Sequence, residues 1–295
     1  MSDRRATHLL DVPGAKLYYE VRGSGPLLLV IGQPMTSEPF GPLADLLADP
    51  HTVVTYDPRG LGQSTVEDAS RDVTPEVQAD DLARLVDAVG GGPADVFASS
   101  GGAVTGLALA VRHPERVRVL VAHEPPVTEL LPDAEHVRAV VDDIQEAFRD
   151  GGNGPAWAKF VSLVMHDGLV TADGVPPVTW PPGAAEPTDA EDTTGPDAGQ
   201  IPPEPSQKQA ADDELFFLRM LKPFTRYVPD VDALRSGRPR VVIGVGEASK
   251  GEVAARSATA LAARLGVPTT AFPGDHGGFM SDPEAFASRL RQTLA

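Results

Sequence analysis

The sequence predicts an α/β fold: a mostly parallel eight-stranded sheet, helices on both faces, and an α-helical cap inserted into it. Three observations predict it. Short apolar runs alternate with segments of helical spacing, the pattern of strands that pair in parallel through helical crossovers. The rhythm breaks after Pro126 and resumes near residue 240. Hydrophobic residues make up 41% of the 295, enough to build a packed core and exclude global disorder.

The elements follow in order. Residues 8–12 (HLLDV) and 16–21 (KLYYEV) read as two strands joined by the Pro13-Gly14 turn. LLLVIG (27–32) is a continuous apolar run, as expected of a strand covered on both faces. FGPLADLLAD (40–49) has helical spacing, and TVVTYD (52–57) is a strand again. Thr74 caps the next helix, with Pro75 in its first position, and three glycines at 90–92 stop it. ADVFAS (94–99) is a strand, GAVTGLALAVRHP (102–114) a helix of small residues, and VRVLVAH (117–123) another strand. After the insertion come a strand at 240–246, a helix at 253–266, a strand at 269–274 and a final helix at 281–294, capped by Ser281 or Asp282.

Two core segments, 1–126 and 234–295, therefore flank a cap at 127–233. The cap is helical at 133–170 and 212–224. Between these lies a stretch at 175–206 with nine prolines, six acidic residues and neither Lys nor Arg, the composition of a lid segment or wrapped loop.

Composition narrows the function. Cysteine is absent, which excludes disulfides, thiolate metal sites and a cysteine nucleophile. The formal net charge is −17, and no basic stripe suggests nucleic acid. No signal-type apolar run opens the chain, and no segment reaches the roughly 18 apolar residues of a membrane span. A soluble, cytoplasmic protein acting on a small molecule is expected, with a homodimer left open.

The chemistry concentrates where ADVFAS meets the next helix. A strand-to-helix bend around a serine needs small residues two positions before and two after it. Ser100 has Ala98 and Gly102 there; Ser99 would have Phe97 and Gly101. The spacing selects Ser100 and sets it at a helix N-terminus, where amides favour developing negative charge.

LLLVIGQP, YDPRGLGQS (56–64), FASSGGA (97–103), VRHPERV (111–117) and GDHGGF (274–279) occur in an order and spacing that resemble the α/β-hydrolase superfamily over residues 8–126 and 234–295. Ala98 departs from the family's usual glycine. The resemblance implies a serine hydrolase needing neither metal nor organic cofactor, with Ser100 as nucleophile and His276 as general base. Histidine suits that task because its protonation changes near neutral pH. His123, beside Glu124, and His166, in the insertion, are the other histidines with a route to the site.

The acid is ambiguous. The family usually places an Asp three residues after the glycine ending the penultimate strand, and that slot holds Ser249. Glu124, at the end of VRVLVAH, is favoured over Glu247; Asp275 is set aside because adjacent side chains point apart. Backbone amides of Gly101 and Gln33 are expected to form the oxyanion hole, and the Gln33 amide side chain to reach substrate. Asp57-Pro58-Arg59-Gly60 reads as scaffold. Trp157, Phe217 and Tyr227 are the chosen pocket walls, drawn from a wider set with Phe160, Phe216, Met220 and Phe224. The expected reaction is cleavage of a small uncharged or hydrophobic ester, thioester or lactone. The alternative is a lyase or ligand-binding protein of the same fold with a degenerate triad.

Overall fold

The computed structural model describes residues 5–90, 92–177, 206–249 and 251–295. The hairpin at the start is β1 (Arg5–Val12) and β2 (Ala15–Gly23), with Val12 opposite Ala15 and Gly14 turned to φ 74°. Next come β3 (Leu27–Gln33), α1 (Gly41–Leu47), β4 (Thr52–Tyr56), and β5 (Thr65–Val66). Then follow α2 (Pro75–Val89), β6 (Ala94–Ser100), α3 (Gly101–Arg112) and β7 (Val117–His123). The insertion supplies α4 (Ala134–Gly151), α5 (Asn153–Val164), α6 (Gln207–Leu215), a π turn at Phe216–Met220 and α7 (Leu221–Thr225). The chain ends with α8 (Val231–Arg235), β8 (Arg240–Gly246), α9 (Val253–Leu265), β9 (Thr269–Phe272), α10 (Gly278–Ser281) and α11 (Pro283–Leu294).

The strand order is β1-β2-β4-β3-β6-β7-β8-β9, and β5 pairs off that path with β2. The sheet thus has nine strands where eight were expected. The extra one is a two-residue antiparallel rung, Ala15 to Val66 and Lys16 to Thr65, too short to leave a period in the sequence. β1, β2 and β4 pair antiparallel; from β4 through β9 all pairs are parallel. Every residue of β3 is buried, which is why it reads as one apolar run.

One face packs α2, α3, α8 and α9 in a cluster that includes Leu82, Leu107, Leu234 and Leu261 and continues into the insertion through Val141 and Ile144. The other face packs α1 and α11, with Phe40, Leu43, Phe286 and Leu290. Caps lie where the sequence put them. Thr74 accepts from the Val77 amide at 3.4 Å, and Asp282 from the Ala285 amide at 3.0 Å.

Chain direction decides where a site can form. After β3 the chain moves to β4 on one side, then returns to lay β6 on the other. Crossovers on either side of β3 leave a crevice at the carboxyl ends of β3 and β6. Gln33 and Ser100, the last residues of those strands, are register partners there.

Polar clamps hold this frame. Asp57 accepts from the Ser37 amide at 2.8 Å, the Ser37 hydroxyl at 2.6 Å and the Gln63 amide at 2.7 Å. Arg59 makes a two-pronged pair with Asp81 at 2.9 and 2.6 Å. These are scaffold roles, as the sequence suggested. The insertion is fastened by Arg256 of α9, which grips Asp133 with both nitrogens at 2.9 Å; Asp133 also accepts from the Val170 amide at 2.7 Å. Most of the proline- and acid-rich stretch, residues 178–205, lies outside the described residues.

Candidate active site

Ser100 closes β6 with φ 57° and ψ −129°, and Gly101 opens α3. This is a bend that side chains avoid unless their surroundings impose it. The imposition is visible at Gly102, where a Cβ would sit 2.6 Å from the Gly32 backbone. The first turn of α3 lies directly on β3, so the chain must turn at Ser100 within one residue. Among the described residues, only one other non-glycine has positive φ: Glu124, at 48°. Both strained positions belong to the site.

β7 and β8 run parallel with His123 opposite Gly244, which sets Glu124 beside the end of β8. The Glu124 amide donates to the Gly244 carbonyl at 3.0 Å, and Glu124 Oε1 accepts from the Gly246 amide at 2.8 Å. Its Oε2 is 2.6 Å from His276 Nδ1. Glu124 is fully buried. Burial alone would raise its pKa, but the hydrogen bond to His276, the nearby histidine charge and the Gly246 amide outweigh that and hold the carboxyl below its ordinary range.

Glu247 has no side-chain hydrogen bond to His276 among the described residues. It is exposed, and its amide is tied to the Phe272 carbonyl at 2.9 Å. Asp275 accepts from the Gly277 amide at 2.9 Å and so braces the loop that carries His276. Ser249 fills the family's usual acid slot, fully buried, with its hydroxyl near Gly246.

His123 is fully buried next to His276. Their rings are 6.3 Å apart and inclined by 29°, and His123 Nδ1 is 3.2 Å from Ser99 Oγ. Burial pushes its pKa down to about 4, so it is neutral at pH 7. His166 bonds to the Leu169 carbonyl at 3.2 Å and is absent from the cavity wall.

Ser100, Gly101, Gln33 and His276 line one cavity offering about 60 Å³ of space. The sheet side adds Pro34, Pro126, Val253 and Ala254, and the insertion adds Thr128, Phe160, Leu163, Val164, Phe216, Leu221, Phe224 and Thr225. Among the described residues, no ionisable side chain apart from His276 faces it.

Three expected walls are corrected. Trp157, Phe217 and Tyr227 do not line this cavity. Phe217 is fully buried inside the insertion, 5.4 Å from the Phe148 ring and 5.0 Å from Trp157. Phe216 precedes it by one residue, and successive side chains leave a helical turn in different directions, so only one of the two faces the cavity. Trp157 stacks on Phe216 at 5.6 Å and lines a neighbouring pocket instead. Tyr227 packs against the core, and burial pushes its hydroxyl up to about 12. Phe160, Phe216 and Phe224, from the wider set, do reach the cavity, while Met220 is buried. Sequence reasoning missed Thr128, Thr225, Val253 and Ala254, small side chains at element ends that carry no periodic signal.

Comparison with known proteins identifies the fold family. Residues 25–190 match the family model described as the alpha/beta hydrolase fold. The uncharacterized hydrolase YraK of Bacillus subtilis is 31% identical over 97% of this chain and 94% of its own length. A zearalenone hydrolase from Cladophialophora bantiana is 24% identical over 99% of this chain and 97% of its own. An alpha/beta hydrolase structure from Sphaerobacter thermophilus superposes with a TM-score of 0.64 at 21% identity, over 98% of this chain and 100% of that one.

Proposed function

Because the chain belongs to the α/β-hydrolase fold family and is a hydrolase of that fold, we propose that it cleaves small uncharged or hydrophobic carboxylic esters through an acyl-enzyme on Ser100. The observation that carries this reading is the 2.6 Å contact between Glu124 and His276 Nδ1, on a cavity wall shared with the strained Ser100. A carboxylate on Nδ1 fixes the imidazole so that Nε2 is the free base, and stabilises the imidazolium that follows.

The steps follow from those roles. Ser100 Oγ attacks the carbonyl carbon as its proton passes to His276 Nε2. The tetrahedral oxyanion is held by the amides of Gly101 and Gln33, the first at a helix N-terminus whose N–H groups have no partner within the helix. The intermediate collapses, His276 returns the proton to the departing alcohol, and the acyl group stays on Ser100. Water then repeats the sequence, with His276 again as base, and the acid leaves. The apolar wall, closed by Phe160, Phe216 and Phe224, supports an uncharged acyl group. The relatives' names share hydrolysis and differ in substrate, so the substrate class rests on the cavity.

The acid assignment is tested by kinetics on p-nitrophenyl esters of rising chain length. Glu124→Gln is expected to lower kcat by about 10³ to 10⁴-fold, and Glu247→Gln by less than about twofold, the size of a neutral surface change. The reverse order would contradict the reading.

A further inference from the structure

We propose that the Gln33 side chain sets substrate specificity by accepting a hydrogen bond from a donor, a hydroxyl or N–H, within a bond or two of the scissile carbonyl. This rests on the ester-hydrolase reading above and narrows its substrate class. Gln33 is 2% exposed, lines the cavity and is the register partner of Ser100 on the adjacent strand. Neighbouring strands lie about 4.8 Å apart, so the two residues flank the same reacting centre. The glutamine stem runs along Gly101: a Cβ there would meet Gln33 Cβ at 3.1 Å and Cγ at 3.4 Å. Its amide therefore begins beside the amide that receives the oxyanion.

Apart from Ser100, the other polar side chains of the wall are already engaged. The Thr128 hydroxyl donates to the Thr225 carbonyl at 2.8 Å, the Thr225 hydroxyl donates to the Leu221 carbonyl at 2.9 Å, and His276 holds Glu124. Gln33 Oε1 differs: it is buried and has no hydrogen-bond partner among the described residues. A buried amide oxygen without a donor is unfavourable. Elsewhere on this wall apolar side chains prevail, so a leucine would serve packing equally well without that cost. The amide is explained by a donor that arrives with the substrate.

Two p-nitrophenyl esters isolate this contact, the 2-hydroxypropionate and the 2-methylpropionate, which exchange a hydroxyl for a methyl of similar size. Each kcat/KM, measured on the full chain, is divided by that ester's own rate with hydroxide, which removes intrinsic reactivity. The expected result is at least about a tenfold preference for the hydroxyl ester, falling to about twofold or less in Gln33→Leu. Equal normalised rates in the unaltered protein would overturn the proposal without needing any variant, and so would a preference that survives in Gln33→Leu. Failure of the underlying ester-hydrolase reading would look different: neither ester would be turned over above Ser100→Ala, and the inference would fall with it.

Discussion

At the scale of single residues, strain and burial mark the same few positions. Ser100 and Glu124 both hold φ values that cost non-glycine residues of order 1–3 kcal/mol, and both sit where side chains must meet from different strands. His123 adds a buried group whose cost depends on pH. Its folded pKa lies near 4, below the ordinary 6.5. Between those values the unfolded chain binds a proton that the folded chain refuses, so stability falls as pH falls through the window. The contribution is about 1.4 kcal/mol per pH unit, about 3 kcal/mol across the window. His123→Phe retains an aromatic ring against Phe97, Phe272 and Phe286 and removes the titration. Urea unfolding at pH 7 and pH 5 should therefore show a smaller loss of stability in the variant than in the unaltered protein. Equal losses would mean that His123 is protonated without penalty in the folded state.

At the scale of elements, the strands were legible and the pocket walls were not, for one physical reason. A strand buried on both faces must be apolar throughout, so β3, β6 and β7 appear directly in the sequence. An aromatic on a helix reports burial but not which neighbour buries it. Trp157, Phe160, Phe216 and Phe217 all interlock in the insertion, and only two of the four also face the cavity. The acid shows the same limit. Glu124 and Glu247 were both in reach by sequence, and it is the pairing of β7 with β8, a long-range fact, that sets Glu124 within 2.6 Å of His276. The elbow was legible because its constraint is local: small residues around Ser100 let α3 lie on Gly32. This division predicts distinct outcomes for two aromatics. Phe217→Ala should cost about 3–5 kcal/mol in denaturant unfolding with little change in kcat/KM of the folded fraction. Phe160→Ala should alter KM for longer acyl chains several-fold. If instead Phe217→Ala changed substrate preference at unchanged stability, the assignment of walls would be wrong.

At the scale of the whole molecule, topology does the assembling. The sheet reverses its winding at β3, which opens the crevice, and the carboxyl ends of β3, β6 and β7 deliver Gln33, Ser100 and Glu124 to it. The loop after β9 brings His276 from far along the chain, and α5, the π turn and α7 close the cavity from above. Among the described residues, no helix is long and apolar enough to cross a membrane. The insertion, bound to α9 through Asp133 and Arg256, fixes the roof to the same core that carries His276.

The central claim is that Ser100 is a nucleophile activated by His276 acting as its general base. The most direct measurement treats the folded protein with a fluorophosphonate, locates the adduct by peptide mass spectrometry, and compares the rate in His276→Gln. The account predicts one adduct per chain, on Ser100, formed at least about a hundredfold more slowly when His276 is replaced, the scale of general-base assistance. An adduct on Ser99, no adduct in a folded sample, or equal rates with and without His276 would contradict it.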